Sequence, residues 1–103
     1  MLFAFSVAPM TSQHVDGAVT DAVARAVQVV RASGLPHETT AMFTTIEGDW
    51  DQVMPVIKAA CDAVAAISPR VQLVLKADLR PGATGELTAK VDRLNAAIES
   101  LDK

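Results

Sequence analysis

Apolar and polar positions alternate from the first residues of this chain. Phe3, Phe5 and Val7 fall on one parity and Ala4, Ser6 and Ala8 on the other. That period of two predicts a strand over Leu2 to Met10 with a bulky face and a small-residue face, ended by Pro9 and the polar cluster Thr11-Ser12-Gln13. The period then changes. From about Asp16 to Ser33, Val19, Val23, Ala26, Val27 and Val30 recur at helical spacing. Gly34 stands where a left-handed C-terminal cap is wanted, and Pro36 prevents continuation.

Thr39 to Ile46 is β-branched and alternating, which predicts two short strands folding back near Phe43 to Thr44. A second helix follows to about Ile67, with Val53, Val56, Ile57, Ala60, Val64 and Ile67 as its buried stripe. Asp49 or Asp51 can cap it. Asp51 is favoured because Pro55 then takes the fourth helical position, whose amide needs no acceptor within the helix. Arg70 to Leu79 alternates again and gives a fourth strand. After Pro81-Gly82 and Gly85, Leu87, Val91, Leu94, Ala97, Ile98 and Leu101 keep a helical beat to the end.

This order is α+β: a ferredoxin-like βαββαβ sandwich with a four-stranded antiparallel sheet, plus a C-terminal helix. Right-handed crossovers put the first and third strands in the middle and the two internal helices on one sheet face, leaving the other open. A chain of 103 residues is expected to be one domain, residues 1–103, with a single core. Half of the residues are hydrophobic and a fifth charged, far from the composition of disorder.

Charge and cysteine content narrow the chemistry. A net charge of −3 supplies no basic field for a phosphate backbone, and the Phe3 and Phe5 parity points inward, so nucleic acid is not expected as a partner. One cysteine, Cys61, excludes an internal disulfide framework and fits a reducing cytoplasm. No window reaches the roughly 18 apolar residues of a membrane span. The apolar opening has no basic n-region, so it reads as a strand and not a signal peptide. His14 and His37 read as surface histidines, Cys61 as a packed thiol and Trp50 as a lid over the core, with no metal or cofactor expected. Neither a Gly-rich phosphate loop nor a GxSxG elbow nor a Cys/His pairing appears, so the chain is not expected to be an enzyme.

Strand parity instead sends Ser6, Thr45, Glu47, Gln72, Lys76 and Asp78 to the open face, beside Ala4 and Ala8. Such a set can line a shallow site for a polar heterocycle. It is also what any half-buried antiparallel sheet shows, and Glu47 and Lys76 can form a plain cross-strand ion pair. Two functions follow: a small-molecule binder, or a structural or regulatory module whose open face and third helix build an oligomer. A small enzyme acting on a phosphorylated metabolite near Lys76 and Arg80 is a more distant third.

Several segments carry a resemblance: Phe5-Ser6-Val7-Ala8-Pro9-Met10, Ser33-Gly34-Leu35-Pro36, Thr44-Thr45-Ile46-Glu47-Gly48-Asp49-Trp50-Asp51, Val53-Met54 and Pro69-Arg70-Val71. Nearly end to end, the chain resembles the thiamine-binding protein family with a YkoF-like ferredoxin fold. The resemblance implies a non-enzymatic binder of thiamine or its hydroxymethylpyrimidine half, assembled as a homodimer or homotetramer. It also implies ligand sites against the sheet near subunit contacts, with Ser6, Thr44, Thr45, Glu47, Lys76 and Asp78 as the candidate residues.

Overall fold

The computed structural model describes residues 1–10 and 19–101. His14 and the expected helix onset at Asp16 lie outside them. The elements are β1 (Leu2–Pro9), α1 (Thr20–Ala32), β2 (His37–Thr39), β3 (Thr44–Glu47), α2 (Trp50–Ala65), β4 (Val71–Asp78) and α3 (Glu86–Leu101). The four strands form one antiparallel sheet in the order β2-β3-β1-β4, so β1 and β3 are central as the crossover rule requires. The fold is ferredoxin-like, with α3 added.

Register fixes the two faces. Phe3 stands opposite Ile46 and Ala77, and Phe5 opposite Thr44 and Leu75. Phe3, Phe5, Val7 and Ile46 are buried under α1 and α2 with Ala22, Ala26, Val30, Val53, Ile57, Ala60 and Val64. Removing that apolar surface from water is the main driving force of the fold, at about 25 cal/mol per Å².

The first helix is turned relative to the expected stripe. Ala22, Ala26 and Val30 face inward, while Val23 is exposed. Small side chains on the inner face let α1 lie close beside α2, and this pushes the bulkier valines toward the margin.

The hairpin folds back earlier than expected. Its turn is Thr40 to Phe43, closed by a 2.8 Å hydrogen bond from the Thr40 N–H to the Phe43 carbonyl. β2 accordingly begins at His37.

The cap of α2 is Asp49, not Asp51. Gln52 Oε1 accepts from the Asp49 N–H at 3.0 Å, and the Asp49 carbonyl accepts from the Val53 N–H at 2.9 Å. Pro55 therefore lies within the helix. Pro55 offers no N–H to the Asp51 carbonyl four residues back, and Asp51 is an exposed residue. Trp50 opens the helix as a partial lid, with its ring edge-on to Phe3 at a centroid distance of 5.9 Å and 48% of its surface exposed. Gly34 takes the left-handed φ of 73° expected after α1.

Candidate functional site

Pairing across the sheet sorts the sequence-derived residues. Ala4 of β1 sits between Thr45 of β3 and Lys76 of β4 in one row. Leu2 sits between Glu47 and Asp78 in the next, and Ser6 faces Val74 in the row on the other side. Directly paired residues project to the same side, so Ser6, Thr45, Glu47, Lys76 and Asp78 share the face turned away from α1 and α2, with Gln72 beside Ala8. Neighbouring strands are about 4.8 Å apart, which leaves roughly 10 Å between the Thr45 and Lys76 backbones across the methyl of Ala4.

Thr44 does not join them. It is buried on the helix-facing side, where its Oγ1 lies 3.1 Å from Thr39 Oγ1. There it lines a second concavity of about 250 Å³ between α1, β1 and the β2–β3 turn, together with Val23, Val27, Thr40 and Phe43. Neighbours in sequence on a strand serve opposite faces, so Thr44 and Thr45 cannot contribute to one pocket.

The two carboxylates are engaged by partners that sequence proximity does not reveal. Glu47 is only 8% exposed, and its Oε2 accepts a 2.8 Å hydrogen bond from the Glu86 backbone N–H at the start of α3. A carboxylate there satisfies one of the unpaired first-turn donors and meets the positive end of the helix dipole. Asp78 accepts from Lys90 of the same helix, and Arg93 donates to Glu86 at 2.6 and 3.2 Å. These contacts hold the carboxyl groups of Asp78 and Glu86 below their ordinary pKa, chiefly through the hydrogen bonds from Lys90 and Arg93. A shallow cleft of about 70 Å³ lies here, walled by Met1, Leu2, Asp78, Arg80, Glu86 and Lys90.

The expected Glu47–Lys76 pair does not form. Among the described residues the ion pairs are Lys58–Asp62, Lys90–Asp78 and Arg93–Glu86, and Lys76 is exposed. The hydroxyls of Ser6 and Thr45 have no hydrogen-bond partner among the described residues. No group of His, Cys, Asp and Glu able to hold a metal ion occurs among these residues either. His37 sits with Nδ1 2.8 Å from the Leu35 carbonyl. Burial raises the Cys61 thiol pKa, with Asp62 adding to it, so the sulfur is disfavoured as a thiolate. No helix among the described residues is long and apolar enough to cross a membrane.

Comparison with known proteins agrees with this architecture. Residues 3–95 match the family described as thiamine-binding protein. A UPF0045 protein of Mycobacterium bovis is 52% identical over 92 residues, covering 88% of this chain and 87% of that protein. A hypothetical protein of Methanocaldococcus jannaschii has a solved structure that superposes with a TM-score of 0.81 at 28% identity, over 91% of this chain and 94% of that one. The fold is shared as well by a Thermotoga maritima protein, described as a candidate for thiamine biosynthesis or salvage, with a TM-score of 0.71 at 23% identity. That match covers 86% of this chain and 94% of that one. The family match takes in β1, the Thr44–Asp51 segment and most of α3, the parts that build the open face. The chain belongs to the thiamine-binding protein family.

Proposed function

We propose that this protein binds thiamine, or its hydroxymethylpyrimidine half, on the open sheet face, and acts by holding the ligand without converting it. Family membership supports a thiamine-related role. The observation that carries the placement is the row Thr45–Ala4–Lys76, a flat methyl floor with a hydroxyl on one side and an ammonium on the other. An aminopyrimidine laid over Ala4 meets Thr45 and Ser6 hydroxyls at its ring nitrogens. The Glu47 oxygen not used by Glu86 accepts from its exocyclic amine.

Charge sets the direction of the ligand. Lys76 repels a thiazolium, whereas Glu47 and Asp78 lie one row further along, about 7 Å away along the strands. The cationic ring therefore belongs at the Leu2 end, where it competes with Lys90 for Asp78. A neutral hydroxymethylpyrimidine avoids that competition. We read the protein as a one-domain cytoplasmic binder that works as a homodimer or homotetramer, with the site near a subunit contact.

Isothermal calorimetry with thiamine and with hydroxymethylpyrimidine tests this reading. Ala4→Leu, which fills the floor without touching the buried face, should weaken binding at least tenfold, and Thr45→Val should weaken it several-fold. Binding unchanged in both variants removes the ligand from this face.

A second reading has its own support. Glu47 and Asp78 already hold α3, which is what a module built for assembly would use them for. Absence of heat with either ligand, in a protein that still oligomerises, favours that reading.

A further inference from the structure

β1 is longer than the strand beside it. It has eight residues and β3 has four, so their shared ladder stops at the pair Phe5–Thr44. Along an antiparallel strand the main-chain hydrogen bonds point alternately to one neighbour and the other. The Gly48 N–H donates to the Met1 carbonyl and the Met10 N–H to the Arg70 carbonyl, so odd residues of β1 bond toward β3 and even ones toward β4. Val7 is the next odd residue after Phe5. Its N–H and C=O therefore point past the end of β3.

One more step of the register would set Val7 against Met42. Met42 instead belongs to the hairpin turn closed by Thr40 and Phe43, and is 74% exposed. No described residue pairs with Val7 on that side, although Val7 itself is only 5% exposed. Main-chain groups of so buried a residue almost always have a partner, because leaving them without one costs as much as a lost hydrogen bond.

The concavity of about 250 Å³ beneath α1 lies against this edge, with Val7 and Thr44 in its lining. The small Ala26 on the inner face of α1 leaves the room, Val23 and Val27 wall it from the helix, and Phe43 walls it from the turn. Drug-sized ligands occupy roughly 300–1,000 Å³, so this space suits a single ring system. None of its described lining residues is charged, which favours an uncharged occupant. Polar recognition is concentrated at two points. Val7 offers a donor and an acceptor side by side, as an extended residue does on its bonding edge. The Thr39 and Thr44 hydroxyls, 3.1 Å apart, use one hydrogen between them and keep one to donate.

We propose that this slot is a binding site for an uncharged, flat nitrogen heterocycle that carries an amino group next to a ring nitrogen, the edge presented by a nucleobase such as cytosine. The Val7 N–H donates to the ring nitrogen and the Val7 carbonyl accepts from the amino group, so the ring takes the place of the missing β3 residue in the ladder. Val23 and Val27 cover its face. The site shares no side chain with the Thr45–Ala4–Lys76 row and does not rest on the open-face reading.

Titration of the nitrogen-15-labelled protein with cytosine, followed by amide chemical shifts, tests the slot. Saturable shifts should centre on Val7 and Thr44. Pyrimidin-2-one, which lacks the amino group, should bind about tenfold more weakly, the scale of one lost hydrogen bond. Val23→Trp, at a site already 39% exposed, should fill the slot and abolish the shifts with the fold intact by circular dichroism. Ala24→Trp, exposed and outside the slot lining, should bind as the wild type does. Absence of saturable shifts, or shifts confined to Ala4, Thr45 and Lys76, overturns the proposal. Equal binding of pyrimidin-2-one overturns the role of the Val7 edge. The open-face reading is decided separately, by Ala4→Leu with thiamine.

Discussion

The Glu47 carboxylate caps a helix that begins thirty-nine residues later in the chain, accepting from the Glu86 N–H at 2.8 Å. A side chain that the strand pattern offers as a ligand contact is thus also a structural clasp between β3 and α3. Loss of a capping acceptor typically costs about 0.5–2 kcal/mol. Glu47→Ala should lower the denaturation midpoint by that amount and speed amide exchange at Glu86. Glu47→Gln, which keeps an acceptor, should retain most of the stability, so ligand affinity in the Gln variant separates the two roles.

Acid should loosen the same region. Asp78 and Glu86 have carboxyl groups depressed below their unfolded values by Lys90 and Arg93. A depressed carboxylate stabilises the fold above its unfolded pKa of about 4, and this contribution is lost as pH falls through the folded value. Stability measured by urea titration should fall progressively below about pH 4. Lys90→Ala/Arg93→Ala should flatten that fall by lowering stability at pH 7 while leaving it unchanged at low pH, and the Lys90–Asp78 share of the loss should be small because that pair is exposed.

Gly48 is held by sterics. A Cβ there would lie 2.9 Å from Val53 Cγ2 and 3.3 Å from Gln52 Oε1, and Val53 is fully buried in the core. Gly48→Ala should cost about 1–3 kcal/mol, the usual range for overpacking. Gly34→Ala meets no atom within 4 Å but must adopt a φ of 73°, and should cost about 1–2 kcal/mol from backbone strain alone. Chemical denaturation of the two variants checks both values.

Pro55 offers a gain. It interrupts the ladder of α2 at an exposed position. Pro55→Ala restores a donor to the Asp51 carbonyl and should raise the thermal midpoint, by an amount equivalent to about 1–3 kcal/mol. An unchanged or lower midpoint would mean that water already satisfies Asp51 as well as an amide does.

Much of the architecture was legible because it is written in local periodicity. The Phe3-Phe5-Val7 parity and the Val53-Ile57-Ala60-Val64 stripe depend on residues a few positions apart, and the faces they define are the faces observed. Parity likewise put Ser6, Thr45, Glu47, Lys76 and Asp78 on one side. Errors arose where a distant partner or a competing local term decides. Asp49 caps α2 because Gln52 reaches back to it, which outweighs the position of Pro55. Thr44 entered by family likeness and fell on the opposite side by the same alternation that placed Thr45. Glu86 and Lys90 were missed as partners of the two carboxylates because nothing in a linear chain marks which strand end a later helix will meet.

The contact of Trp50 with Phe3 has a practical consequence. The chain has one tryptophan and no tyrosine, so its near-ultraviolet emission comes from a single indole at the junction of β1 and α2. A shift in that emission during denaturation reports a change in the surroundings of this one indole, so the unlabelled protein carries its own optical probe of the core's edge.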